Sequence, residues 1–335
     1  MSPVRQPNRN SLGIMNRRIL LKRSLATAAT LLATPAWSLA RSTETNRGEP
    51  KYQMDLCGGR VGIDANQDGL IELASKHGFS AVEPLVWELK SKTPEQVAAL
   101  KSKLAEKKLV WSAANLPVEF RQSDKKFKED LAALPEFAKG LQNAGVTRIG
   151  TWIMPCHESL TYRANFRLHS TRLNEAAKIL KDHGLRLGLE YVGTKSLWTQ
   201  KRYPFMHTMK ETSELIAVIG LDNVGFILDS WHWTMAGESA DDIKSLKNEQ
   251  IVACDLNDAP AGIEQDQQND TTRELPMATG VIDVKAFLNA LVDIGYDGPI
   301  RAEPFSKSLE KMDNEAAAAA TGEAMKKAFA SVGGD

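Results

Sequence analysis

From Tyr52 onward the chain alternates short apolar runs with longer amphipathic segments, and this alternation constrains its fold more than any other feature. The runs are "YQMDLCG" at Tyr52, "SAVEPL" at Ser80, "LVWSAAN" at Leu109, "VTRIGTW" at Val146, "LRLGLEY" at Leu185, "VGFILD" at Val224, "IVACDLND" at Ile251 and "PIRAEPF" at Pro299. Runs of this length, bounded by turn residues, read as strands, and the segments between them, with their 3.6-residue period, read as helices. Helices are expected over 68–77, 94–107, 125–144, 165–183, 206–219, 240–246, 284–294 and from 309 to about 330. Gly78, Gly145, Gly184, Gly220 and Gly295 stand where left-handed caps would end several of them. Strict alternation implies a parallel sheet, and eight such units closing on themselves make an α/β (β/α)8 TIM barrel, here a single domain over 51–335. A doubly wound open sheet is the alternative, but "CGGRVG" at Cys57 only partly matches the Gly-rich turn it needs.

The first forty residues stand apart. "NRRILLKRSLATAATLLATPAWSLA" has a basic front, an apolar middle and small residues at a plausible cut after Ala40. Arg17 and Arg18, followed by Ile19, Leu20, Leu21 and Lys22, resemble the twin-arginine signal, so 1–40 is expected to be a signal peptide and 41–50 a linker. That implies the twin-arginine export machinery as a partner and a bacterial periplasmic protein. The apolar run from Leu25 to Ala36 falls short of the roughly 20 residues that span a bilayer, so no stable membrane insertion is expected after cleavage. Removing Arg5, Arg9, Arg17, Arg18, Lys22 and Arg23 leaves 36 basic side chains against 42 acidic ones. An acidic mature chain argues against nucleic acid as a partner. Cys57, Cys156 and Cys254 are too few and too scattered for a disulfide framework.

In a parallel barrel the C-terminal ends of the strands meet in one mouth. Glu190 ends "LRLGLE", Asp229 ends "VGFILD", Asp255 lies in "IVACDLND" and Glu303 ends "PIRAE". Each follows apolar residues, where a lone carboxylate costs several kcal/mol unless paired, hydrogen-bonded or bound to a cation. A single strand-end carboxylate is as readily a capped or salt-bridged structural residue. Several converging on one point repel each other, and a divalent metal lets them all stay ionised.

These segments resemble a known family. "GLEYVG", "ILDSWHW" and "DLNDAP", with "GVIDVKAFLNALVDIGYDGPIRAEPF", are similar to the xylose-isomerase-like barrels, a superfamily of sugar isomerases, ketose 3-epimerases, dehydratases and zinc-dependent endonucleases. The resemblance runs from about Tyr52 to the end and implies one divalent ion, manganese, magnesium or zinc. Carried over by motif, its ligands are Glu190, Asp229, Asp255 and Glu303. Asp255 departs from the pattern, which has His or Gln there, and a fourth carboxylate favours manganese or magnesium over zinc; the other reading is that Asp255 does not touch the metal. The resemblance also makes Glu190 and Glu303 an acid/base pair acting through an enediolate, whose charge a metal stabilises.

The same comparison sets His232, three residues after Asp229, as a pocket residue, since the multi-histidine endonuclease site cannot be assembled here. Arg273, in the loop after the seventh strand, matches a substrate-contacting position, with a solvated loop arginine as the plain reading. His157, Lys195 and Glu83 face the mouth by topology and are candidates for substrate binding. The expected function is a metal-dependent sugar isomerase or epimerase on a small carbohydrate. A lyase or dehydratase on a keto-sugar, keto-glycoside or cyclitol is the alternative, and a non-catalytic sugar-binding barrel is the reading of another class. A homo-oligomer is compatible with the sequence.

Overall fold

The computed structural model describes residues 48–332; the expected signal peptide and most of the linker lie outside them. All eight expected strands are present: β1 (Gln53–Leu56), β2 (Ala81–Val82), β3 in two pieces (Val110–Trp111 and Ala113–Asn115), β4 (Arg148–Trp152), β5 (Arg186–Glu190), β6 (Val224–Asp229), β7 (Ile251–Leu256) and β8 (Pro299–Ala302). Every pairing between them is parallel, and β1 joins β8. The ring closes through β3, whose first piece pairs with β2 and second with β4, on either side of Ser112. Closing a parallel ring demands stagger between strands, and β3 absorbs it by changing partner halfway. The architecture is the (β/α)8 barrel expected from the alternation.

The eight main helices are α1 (Gln67–Lys76), α2 (Pro94–Glu106), α3 (Asp124–Ala144), α4 (Tyr162–Asp182), α5 (Met209–Ile219), α6 (Ala240–Lys244), α7 (Val284–Asp293) and α8 (Asn314–Ala330). Their starts follow side-chain caps rather than the apolar period. Thr161, Thr208 and Asp313 each accept the backbone N–H three residues on, so α4 begins earlier than expected and α5 and α8 later. The five glycines expected at helix ends all take positive φ. Short helices at Val86–Lys90, Lys195–Trp198 and Ser230–Met235, and an antiparallel pair of Cys156–His157 with Tyr203–Pro204, had no periodicity to announce them. No helix among the described residues is long and apolar enough to cross a membrane.

Most of the apolar core lies between ring and helices. Inside the ring, the apolar plug is small: Ala113, Ile227 and Ala253. Gly150 and Gly188 make room for it, since a Cβ on Gly150 would sit 2.3 Å from Ile227 Cδ1 and one on Gly188 2.7 Å from Ile227 Cγ1. Above the plug the barrel interior is charged. Asp55, Arg301, Asp255 and Asp229 are register partners across β1, β8, β7 and β6, and all four are buried.

Candidate active site

The mouth at the C-terminal ends of the strands holds a cavity of about 490 Å³ whose lining includes Glu190, His232, Asp270, Arg273 and Glu303. Glu190 closes β5 and is 4% exposed; its Oε1 has no hydrogen-bond partner. Burial, with Asp255 and Asp229 nearby, pushes its pKa up to about 8. Asp229 closes β6 and caps the helix Ser230–Met235: its Oδ1 accepts the Trp231 N–H at 2.7 Å and Asn257 Nδ2 at 2.8 Å. Asn257 also accepts the Glu303 N–H at 3.0 Å, so one amide side chain ties β6, β7 and β8 together at the rim.

Arg273 is not a solvated loop residue. It is 2% exposed, and its Nη1 donates to Asp229 Oδ2 at 2.7 Å and Glu303 Oε2 at 2.8 Å. Its Nη2 donates to Asp270 Oδ1 at 2.8 Å and lies 3.2 Å from His232 Nε2. Burial opposes its charge, but Asp229 and Asp270 outweigh that and raise its pKa. Asp270 is held in turn by Thr194 Oγ1 at 3.1 Å. Burial lowers the pKa of His232 against the pull of Asp229, and Arg273 adds to the lowering. Its Nδ1 has no partner.

The long loop that carries Asp270 and Arg273 is ordered by Asp258. Its Oδ1 accepts the N–H groups of Ala259 and Ile282, and its Oδ2 those of Thr279 and Gly280. Its backbone exchanges two hydrogen bonds with Glu274, beside Arg273. Burial works against the Asp258 charge, yet these donors hold its pKa below the usual range.

Of the remaining expected contacts, Glu83 is buried and reaches the cavity only through Asn115, whose Nδ2 donates to Glu83 Oε1 at 2.7 Å. His157 is outside the cavity lining, its Nδ1 accepting the Ser159 and Leu160 N–H groups at 3.0 and 2.9 Å. Lys195 is also outside it, paired with Asp266 on the loop after β7. Four site residues escaped the sequence reading: Arg60, paired with Glu303; Asp270; Asn257; and Arg301, which pairs with Asp255 through Nε and through Nη2, the latter at 3.1 Å. Arg301 did leave a signal, as a cation inside the apolar run "PIRAE" that had to find a buried anion.

The donor set suits a divalent cation. Glu190, Asp255 and Glu303 each offer a ligand atom within 4.8 Å of the others, and so do Glu190, Asp229 and His232. Glu190, whose Oε1 is unpartnered, belongs to both sets, and a buried carboxylate oxygen without a donor is what a cation would satisfy.

Residues 71–328 match the xylose isomerase-like TIM barrel family. The inosose isomerase of Bacillus velezensis is 24% identical over 254 residues, 73% of this chain and 85% of that protein. A xylose isomerase domain protein from Alicyclobacillus acidocaldarius superposes with a TM-score of 0.72 at 28% identity, covering 84% of this chain and 98% of that one. The IOLI protein, solved with a binding zinc atom, superposes at 0.69 with 20% identity, over 83% of this chain and 98% of its own. Ring, mouth and converging carboxylates agree with that match, and the chain belongs to the xylose isomerase-like TIM barrel family.

Proposed function

We propose that this isomerase- or epimerase-type enzyme acts on a small keto-sugar or cyclitol ketone, moving a proton on and off a carbon beside the carbonyl, with Glu190 and Glu303 as the acid/base pair. One observation carries the reading: two buried carboxylates on strands three apart in the ring open into the same cavity, one paired with Arg273 and the other with a free oxygen. Carboxylates in unlike environments divide into acid and base. Glu303, held by Arg273, is the base, and Glu190 is its partner across the cavity. Arg273 also fixes the carboxyl plane of Glu303 and lies against His232 Nε2, a contact for substrate oxygens.

Glu190 would hold a divalent ion with Asp255 and Glu303, or with Asp229 and His232, and the oxygen-rich set favours manganese. Such an ion, when bound, polarises the carbonyl and hydroxyl oxygens beside the reacting carbon. The B. velezensis relative supports a cyclitol ketone as substrate. Incubating the manganese-loaded protein with a panel of inososes and ketohexoses, and identifying products by NMR, tests the proposal. Isomers with unchanged composition are expected; no conversion across the panel would sink it.

A second reading, elimination of an alcohol from a keto-glycoside, is favoured by the shape of the mouth. Trp152 and Phe305, 38% and 37% exposed, rise from the ends of β4 and β8, opposite each other in the ring, and both line the cavity. Arg121 lies 4.6 Å under the Trp152 ring and Arg273 lies 4.7 Å from the Phe305 ring centroid. Phe305 also holds φ at 45°, a strained conformation of the kind kept at ligand sites. Such walls suit a substituent beyond the sugar ring, and release of a free alcohol from an aryl keto-glucoside would establish this reading over the first.

The leader, read as an export signal, supports a periplasmic location for the enzyme. Replacing Arg17 and Arg18 by Lys should leave it in the cytoplasmic fraction; unchanged fractionation would remove that assignment.

A further inference from the structure

Away from the carboxylates, the cavity wall at the ends of β3 and β4 carries a polar side chain held in one orientation. Ala113 in β3 belongs to the apolar plug inside the ring, and side chains two apart on a strand share a face. Asn115, which ends β3, therefore points into the barrel one layer higher. Gly150 in β4, its register partner, faces Ile227 in the plug, so Trp152 points inward in turn, and Trp152 is the register partner of Glu190. Asn115, Trp152 and Glu190 thus end three consecutive strands and all line the cavity. Two strand spacings, about 10 Å, separate the backbone of Asn115 from that of Glu190. A hydroxylated ring bridges that span once both side chains reach inward.

The amide of Asn115 is exposed to the cavity on one side and anchored on the other. Its Nδ2 donates to Glu83 Oε1 at 2.7 Å. A carboxylate oxygen only accepts, so the amide nitrogen must face Glu83 and Oδ1 is turned away. Among the described residues none donates to that Oδ1. Glu83 itself is 5% exposed and braced through its backbone. Its N–H donates to the Leu56 carbonyl at 3.1 Å, and its carbonyl accepts Gln67 Nε2 at 3.0 Å. Gln67, fully buried, also accepts the Leu85 N–H at 2.7 Å, so the turn after β2 is pinned to the start of α1. We propose that Asn115 is a specificity-determining residue whose Oδ1 accepts a hydrogen bond from a ring hydroxyl of the substrate, and that Glu83 is the positioning residue that fixes its amide for this. An acceptor backed by a carboxylate rejects an anionic group at the same edge, so the hydroxyl read there is a free one. The inference rests on the hydroxylated substrate proposed above and goes further by assigning the residue that selects it.

Equilibrium binding of myo-inositol and its monodeoxy derivatives, followed by ligand-observed NMR, tests this; they carry the hydroxylated ring without the carbonyl and so cannot be turned over. The parent should bind at least one monodeoxy derivative about fivefold or more weakly than myo-inositol. Asn115→Ala should weaken myo-inositol by a similar factor and leave that derivative unchanged. Glu83→Leu, with Asn115 still in place, should reproduce this pattern, and Glu83→Gln, which can still accept from Nδ2, should restore binding to within about threefold of the parent. Melting temperatures of all variants serve as the control for folding. Unchanged affinity for myo-inositol in Asn115→Ala and Glu83→Leu, whatever their melting temperatures, would make the pair purely structural and overturn the inference. So would equal weakening of every ligand, or a parent that binds none of them. The predicted binding pattern without deuterium exchange of any inosose would support the inference and defeat the acid/base reading, so the two fail separately.

Discussion

Glu190 has no arginine against it, unlike Asp229 and Glu303. Asp229 has Arg273 and Asn257, and Glu303 has Arg273 and Arg60, but Glu190 Oε1 has no donor. Without a cation its carboxyl is pushed up to about 8, so Glu190→Gln removes a liability from the metal-free fold. The metal-free variant should melt at or above the parent temperature, and a drop of several degrees by calorimetry would contradict the account of Glu190 as an unsatisfied group. His169 gives the pH signature. It is buried between Phe120 and Phe205, its Nε2 has no partner, and burial pulls its pKa down to about 4. The unfolded chain takes up a proton near pH 6.5 and the folded one does not until about 4, so stability falls as pH drops through that window. At about 1.4 kcal/mol per unit the full effect is about 3 kcal/mol. His169→Gln should flatten the acid limb of the melting-temperature profile between pH 6.5 and 4; an unchanged limb would rule His169 out as its source.

At the scale of elements, the loop after β7 shows what the sequence could and could not disclose. Arg273 within it was named from a family pattern. Its order was not legible, because it rests on one carboxylate, Asp258, gathering N–H groups from both ends of the loop. Asp258 looked like any acid in "DLNDAP". Asp258→Ala leaves several buried donors without an acceptor, each costing about 1–3 kcal/mol. The variant should be destabilised by at least about 2 kcal/mol, be cut by protease between 259 and 280, and lose turnover because Arg273 is no longer held. Native resistance to proteolysis would contradict the role given to Asp258. The strand-end carboxylates were legible for a simpler reason: an acidic residue at the close of an apolar run has few fates. His157 and Lys195 failed to reach the cavity because their loops fold back, one into an antiparallel pair and the other against Asp266.

For the whole molecule, alternation alone carried the barrel, since eight strand-helix units have one common way to close. How the ring closes was hidden, because nothing in "LVWSAAN" marks Ser112 as the point where a strand changes partner. The glycines of "RIGTW" and "RLGLE" are explained only by the assembled ring, where they face Ile227. Gly188→Ala should destabilise the barrel by about 1–3 kcal/mol through overpacking, and Ile227→Ala in the same chain should recover part of it. Strict additivity of the two would show that the residues do not meet. The small apolar plug leaves the upper interior to charge, where Asp255 pairs with Arg301 and Arg273 holds Asp229 and Glu303. The most direct test of this account is proton exchange. Manganese-loaded protein in heavy water, given an inosose or a ketohexose, should replace the hydrogen beside the carbonyl by deuterium, seen as loss of its NMR signal, and Glu190→Gln and Glu303→Gln should each slow this by about 10²–10⁴-fold. Exchange that proceeds unchanged in either variant, or that is absent from the parent with every such ketone, would contradict it.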